Sequence, residues 1–115
     1  MKRICVNCGS NSGNNPAYLE MAELLGQILA KRNLELVYGG ASVGLMGKVA
    51  DAVLNSGGSA IGVIPKMFAD KVSHPGLTEL HILDTMHQRK AMMFELSDGF
   101  IALPGGFGTI EEITE

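Results

Sequence analysis

Five short apolar runs, each separated from the next by a longer stretch, constrain this chain more than any other feature. They fall at residues 3–7, 36–38, 60–64, 80–83 and 100–103, and are too short and too continuous to be amphipathic helices. Between the first two, Tyr18, Met21, Ala22, Leu25, Ile28 and Leu29 recur at helical spacing and predict one apolar face. Asn15 followed by Pro16 suits a helix start, and Asn33 its end. A second helix carries Leu45, Val49, Ala52 and Val53 inward and stops at Gly57-Gly58. Pro65 closes the third run, and Pro75-Gly76 marks a turn in the poorly patterned segment 66–78. Asp84 or Thr85 caps a further helix reaching about Leu96, whose buried side is expected to be Met86, Met93 and Phe94.

Apolar strands alternating with helices predict an α/β fold, a Rossmann-like doubly wound parallel sheet with helices on both faces. Residues 1–115 fit one domain. In such sheets ligands bind beyond the carboxyl ends of the strands. The loops after runs one, two and five, rich in glycine and hydroxyl groups, should all open on that edge. The sequence stops about two turns into its last helix, where such a sheet ordinarily continues. The last elements are therefore expected to be missing, or the open edge covered by a partner.

Nine Lys and Arg against twelve Asp and Glu give a net charge of -3, which argues against nucleic acid as a partner. A small anion held by backbone donors remains compatible. No apolar run reaches the ~18 residues of a membrane span, and the first residues lack the apolar stretch of a signal peptide. Two cysteines and no export signal make a reduced cytoplasm the expected location.

Leu103-Pro-Gly-Gly-Phe-Gly-Thr-Ile-Glu-Glu112 reads as a strand end, a tight turn and a helix start. At Gly105, Gly106 and Gly108 the backbone can lie directly against a ligand, and a helix beginning at Thr109 would offer unpaired N–H groups to a phosphate. Glu111 and Glu112 sit in that first turn. Thr109-Ile-Glu-Glu112 is also a capping box, which by itself would account for Glu112. Glu111 has no such structural role but points about 100° away around the helix.

Ser42-Val-Gly-Leu-Met-Gly47 narrowly misses both the dinucleotide fingerprint and the Walker A pattern. Ser42 either caps the following helix or meets a phosphate or ribose. Arg89 and Lys90 are a solvated helix face or, one turn from the helix start, a two-pronged phosphate contact with a cation in support. Cys5 and Cys8 form an isolated C-x-x-C pair; without a second pair, buried small residues are the better reading than zinc or redox chemistry.

Gly39-Gly-Ala-Ser-Val-Gly-Leu-Met-Gly47, Met86-His-Gln-Arg-Lys90 and Pro104-Gly-Gly-Phe-Gly-Thr-Ile-Glu-Glu112, in this order, resemble the LONELY GUY family of cytokinin riboside 5'-monophosphate phosphoribohydrolases. The last stretch is similar to that family's PGGxGTxxE signature without a mismatch. Members have often been labelled lysine decarboxylases, but no pyridoxal phosphate site is evident in these residues. The resemblance implies hydrolysis of the N-glycosidic bond of an N6-substituted adenosine 5'-monophosphate, releasing base and ribose 5-phosphate. It further implies catalytic roles for Arg89, Glu112 and Glu111. Substrate or phosphate contacts would come from Gly40, Ser42, Met86, Lys90, Gly105, Gly106, Gly108 and Thr109. No metal or organic cofactor is implied, and the assembly expected is a homodimer or higher homo-oligomer. Family chains continue well past the signature, so a chain ending here is expected to need a partner or to be a weak enzyme. The competing expectations are a nucleotide-binding or carrier module without turnover, and a nucleosidase preferring AMP or another purine nucleotide.

Overall fold

A computed structural model describes residues 2–7, 16–40, 44–67 and 74–102. Five strands, β1 (Arg3–Asn7), β2 (Glu35–Tyr38), β3 (Ala60–Pro65), β4 (Glu79–Leu83) and β5 (Gly99–Ala102), form one sheet in the order β4-β3-β2-β1-β5. Every pairing is parallel. Helices α1 (Pro16–Lys31), α2 (Gly44–Asn55) and α3 (Met86–Leu96) connect them. The first four strands step outward to one side of β1, and the chain then crosses back to lay β5 on the other side. That reversal makes the crevice above β1 and β5 the topological switch point, the place where open parallel sheets bind ligands. Asn7 and Ala102, the last residues of these two strands, are partners in register, so the two strands end side by side at this edge.

Alternation along each strand divides the core. Val6, Leu36, Tyr38 and Ala60 face α1 and α2, meeting Ala22, Leu29, Leu45, Val49, Ala50 and Val53. Cys5, Val37, Ile61 and Val63 face the other way, towards Met93 of α3. The expected doubly wound arrangement is therefore present, with helices on both faces. At the opposite end of the sheet, the Asp98 carboxylate accepts from the Arg3 amide at 2.9 Å and Arg3 Nε donates to Glu35 at 3.1 Å.

The helix and strand boundaries follow the punctuation in the sequence. α1 starts at Pro16, and Asn33 just beyond it takes φ 59°, the left-handed cap position that asparagine tolerates. Thr85 caps α3 in a reciprocal box with Gln88: the Gln88 amide donates to the Thr85 hydroxyl, and the Thr85 amide to the Gln88 side chain.

Three expectations about burial need correction. In α1 the buried stripe is Ala22, Gly26 and Leu29, while Tyr18, Met21 and Ile28 are exposed. The cause is the close crossing of α1 and α2: a β-carbon on Gly26 would collide with Ala52 and the Val49 carbonyl, so the helix turns its small residues inward. β4, expected to be covered on both faces, is an edge strand with Leu80 and Ile82 exposed. In α3 the buried residues are Arg89 and Met93, four apart on one face, and Met86 and Phe94 are the exposed ones. Phe94 instead leans on Phe100 of β5, ring centroids 5.0 Å apart.

Candidate functional site

The carboxyl edge of the sheet collects the residues that matter. α3 begins there, because Leu83 ends β4 and only Asp84 and Thr85 intervene before Met86. One turn into α3, Arg89 points down onto the sheet and is only 7% exposed. Its Nε donates to the carbonyl oxygen of Val63 in β3 at 2.9 Å. A hydrogen bond from a charged donor is worth about 1.5–3 kcal/mol, enough to bias the side chain inward despite its charge. Arg89 is thus neither on a solvated face nor at the rim, as its sequence position alone left open.

Arg89 also reaches Gly39, the residue that follows β2. Its Nη2 lies where a β-carbon on Gly39 would stand, with the Met46 sulfur close to the same point at 3.1 Å. Gly40, expected at a phosphate, is buried with φ 82°, and its carbonyl accepts from the His74 amide at 2.9 Å. His74 is itself pinned. The Gly76 amide donates to its Nδ1 at 3.0 Å, so Nε2 carries the proton and donates to the Asp51 carboxylate on α2. His74, in the segment unreadable from sequence, is therefore fastened both to Gly40, just past β2, and to α2.

Lys90 is half-buried and lines a small cavity with Cys5, Asn7, Met93, Phe94 and Phe100. That cavity lies beneath the switch point, at the ends of β1 and β5. Met86, 39% exposed at the helix start, stands at the same edge. Cys5 is buried, its thiol 3.8 Å from the Asn7 side-chain oxygen, as the small-core reading of that cysteine requires. Ser42, Gly105, Gly106, Gly108, Thr109, Glu111 and Glu112, together with Cys8, lie outside the described residues. Among the described residues, the structure sets Arg89 against Gly39, the neighbour of Gly40 in the chain, and places Met86 and Lys90 on the same helix as Arg89.

Two contributors escaped the sequence reading. Gly39 was visible only as part of a motif, and nothing in a sequence tells which side chain a glycine makes room for. Asn7 ends an otherwise apolar strand and is buried, one of two polar or charged side chains so placed among the described residues, the other being Arg89. A polar residue closing a buried strand at the ligand edge was the available signal.

Comparison with known proteins bears on this edge directly. Residues 46–115 match the family model described as "Possible lysine decarboxylase". The chain is 53% identical over 116 positions to the cytokinin riboside 5'-monophosphate phosphoribohydrolase of Rhodococcoides fascians, covering 99% of this chain and 59% of that protein. It is 51% identical over 115 positions to the enzyme of that name, LOG1, of Arabidopsis thaliana, covering 99% of this chain and 54% of that protein. The chain thus spans little more than half the length of these curated relatives. Among solved structures, the Moco carrier protein of Chlamydomonas reinhardtii superposes with a TM-score of 0.84 at 25% identity, over 99% of this chain and 68% of that one. No described helix is long and apolar enough to cross a membrane. With the family model spanning more than half of the chain and including both the helix that carries Arg89 and the glycine-rich signature, the chain belongs to that family, possible lysine decarboxylase by description and LONELY GUY-like by its relatives.

Proposed function

We propose that this chain is the nucleotide-binding and catalytic portion of a nucleoside 5'-monophosphate phosphoribohydrolase, acting on adenosine 5'-monophosphates with an N6 substituent. The observation that carries the reading is the 53% identity to a phosphoribohydrolase over 99% of this chain. The burial of Arg89 at the carboxyl edge, tied to β3 and packed against Gly39, supports it. In the reaction, the oxygen of water attacks C1' of the ribose as the bond to N9 breaks. The bonding pair leaves with the base, which takes up a proton, and the attacking water gives one up. Because the ribose becomes cation-like, a carboxylate close to C1' stabilises it and accepts the water proton. Glu112 has that role, with Glu111 on ribose or water. Arg89 orients the nucleotide or balances charge on the departing base, and Lys90 supports it. Gly105, Gly106, Gly108, Thr109, Gly40 and Ser42 hold the phosphate, and Met86 borders the base. The working assembly is a homodimer or higher homo-oligomer in the cytoplasm, and the reaction calls on no metal or organic cofactor.

The test is incubation of the full chain with AMP and with N6-isopentenyl-AMP, followed by chromatography for free base. Release of base supports the reading, and faster release from the substituted nucleotide supports the substrate class. A second reading, a carrier that binds without turnover, is favoured by the likeness to a Moco carrier protein. Binding of nucleotide with no base released would select it.

A further inference from the structure

Gly39 stands directly after β2, buried, at the carboxyl edge of the sheet. Its neighbours are unusual for a strand-end glycine. The nearest atom to the place of its missing β-carbon belongs to the Arg89 guanidinium, with a second guanidinium atom at 3.5 Å and the Met46 sulfur at 3.1 Å. The slot is thus filled from α3 on one side and α2 on another. Arg89 Nε, meanwhile, is tied to Val63 O on the neighbouring strand. The hydrogen bond to β3 and the close fit against Gly39, just past β2, together restrict the plane and reach of the guanidinium. A planar fork held this way is oriented before any ligand arrives, whereas a side chain anchored at one point would still swivel.

We propose that Gly39 is a positioning residue for Arg89. Its bare backbone forms the slot in which the guanidinium lies, and Val63 O sets the rotation of the fork within it. The inference rests on the proposed hydrolase reading for its effect on turnover, but the slot itself is a property of the described residues.

A double-mutant cycle on the full chain separates this from a general packing role. Gly39→Ala, Arg89→Lys and the double variant are compared for release of base from N6-isopentenyl-AMP. Gly57→Ala serves as control, at an exposed positive-φ glycine with nothing within 4 Å of its missing β-carbon. Gly39→Ala is expected to lower turnover at least tenfold with Arg89 present and less than twofold in the Arg89→Lys background, because the shorter cation vacates the slot. Equal loss in both backgrounds, or no loss in either, overturns the proposal. If Gly39→Ala alone does not fold, the double variant must; failure of both to fold also overturns it. The Arg89 Nε–H resonance in a ¹⁵N spectrum provides a readout independent of turnover. It should shift or broaden in Gly39→Ala and stay in place in Gly57→Ala. If the wild-type chain releases no base, the hydrolase reading fails while this spectrum still decides the slot.

Discussion

Arg89 Nε and Val63 O, 26 residues apart in the chain, meet at 2.9 Å beneath the carboxyl edge of the sheet. The bond ties the first turns of α3 to the middle strands, so the same side chain serves folding and the site. Arg89→Ala should therefore lose twice. It deprives the buried Val63 carbonyl of a partner and leaves a void beside Met46 and Gly39, costing about 1–3 kcal/mol for the unsatisfied group alone. Urea unfolding of the variant gives that loss. Turnover per folded molecule should also drop by roughly two orders of magnitude, on the scale of other positioned charged groups at reacting centres. A variant as stable as the wild type would show that the bond contributes nothing net.

Gly26→Ala tests the helix crossing that displaced the expected apolar face of α1. Alanine improves helix propensity by about 1 kcal/mol. Its methyl group would nevertheless press on Ala52 and the Val49 carbonyl, and overpacking of this kind costs about 1–3 kcal/mol. Net destabilisation in a urea titration, with the far-UV spectrum unchanged, is the expected result. A more stable variant would mean that α1 and α2 can slide apart cheaply.

The strand alternation and the helix starts were legible in the sequence, because they rest on local rules: apolar runs, Pro16 after Asn15, Thr85 before α3. Burial within helices was less so. Period alone cannot distinguish which of two adjacent apolar stripes on α1 faces inward; a glycine at the crossing decides it, through contacts with residues that lie 23 and 26 positions away. The burial of Arg89 was not legible for a related reason. A charged side chain is assigned to water unless its partner is known, and here the partner is a backbone carbonyl that carries no sequence signal. Residues 74–78 are held at one end by His74, whose three hydrogen-bond partners are Asp51 of α2, Gly40 and Gly76, and at the other by Thr78, which exchanges two hydrogen bonds with Ala60.

His74→Ala should loosen that strap. It removes the acceptor for the Gly76 amide and the donor to Asp51, while leaving the backbone bond to Gly40 available. Since both lost bonds are partly exposed, the expected cost is about 1–2 kcal/mol. Amide exchange should quicken at Gly76 and Leu77, with little change in β1 or β2. Uniform acceleration throughout the sheet would show that the strap is part of the global core instead of a local fastening.

Glu112→Gln addresses the proposed chemistry most directly. The substitution preserves size and an amide oxygen, so a capping box with Thr109, as the sequence leads one to expect, would survive in weakened form at a cost of about 1 kcal/mol or less. What it removes is the negative charge and the basic oxygen that the cation-like ribose and the attacking water require. Base release from N6-isopentenyl-AMP should fall by roughly two to four orders of magnitude, with nucleotide affinity nearly unchanged, because the proposed phosphate contacts come from other groups. The opposite pattern is equally clear-cut. If the melting temperature drops while turnover per folded molecule holds, Glu112 is a helix cap only, and the carboxylate facing the sugar must be sought at Glu111. Running Glu111→Gln in parallel resolves the two, since successive residues of the helix expected from the sequence would point about 100° apart and one carboxylate could not occupy the other's place.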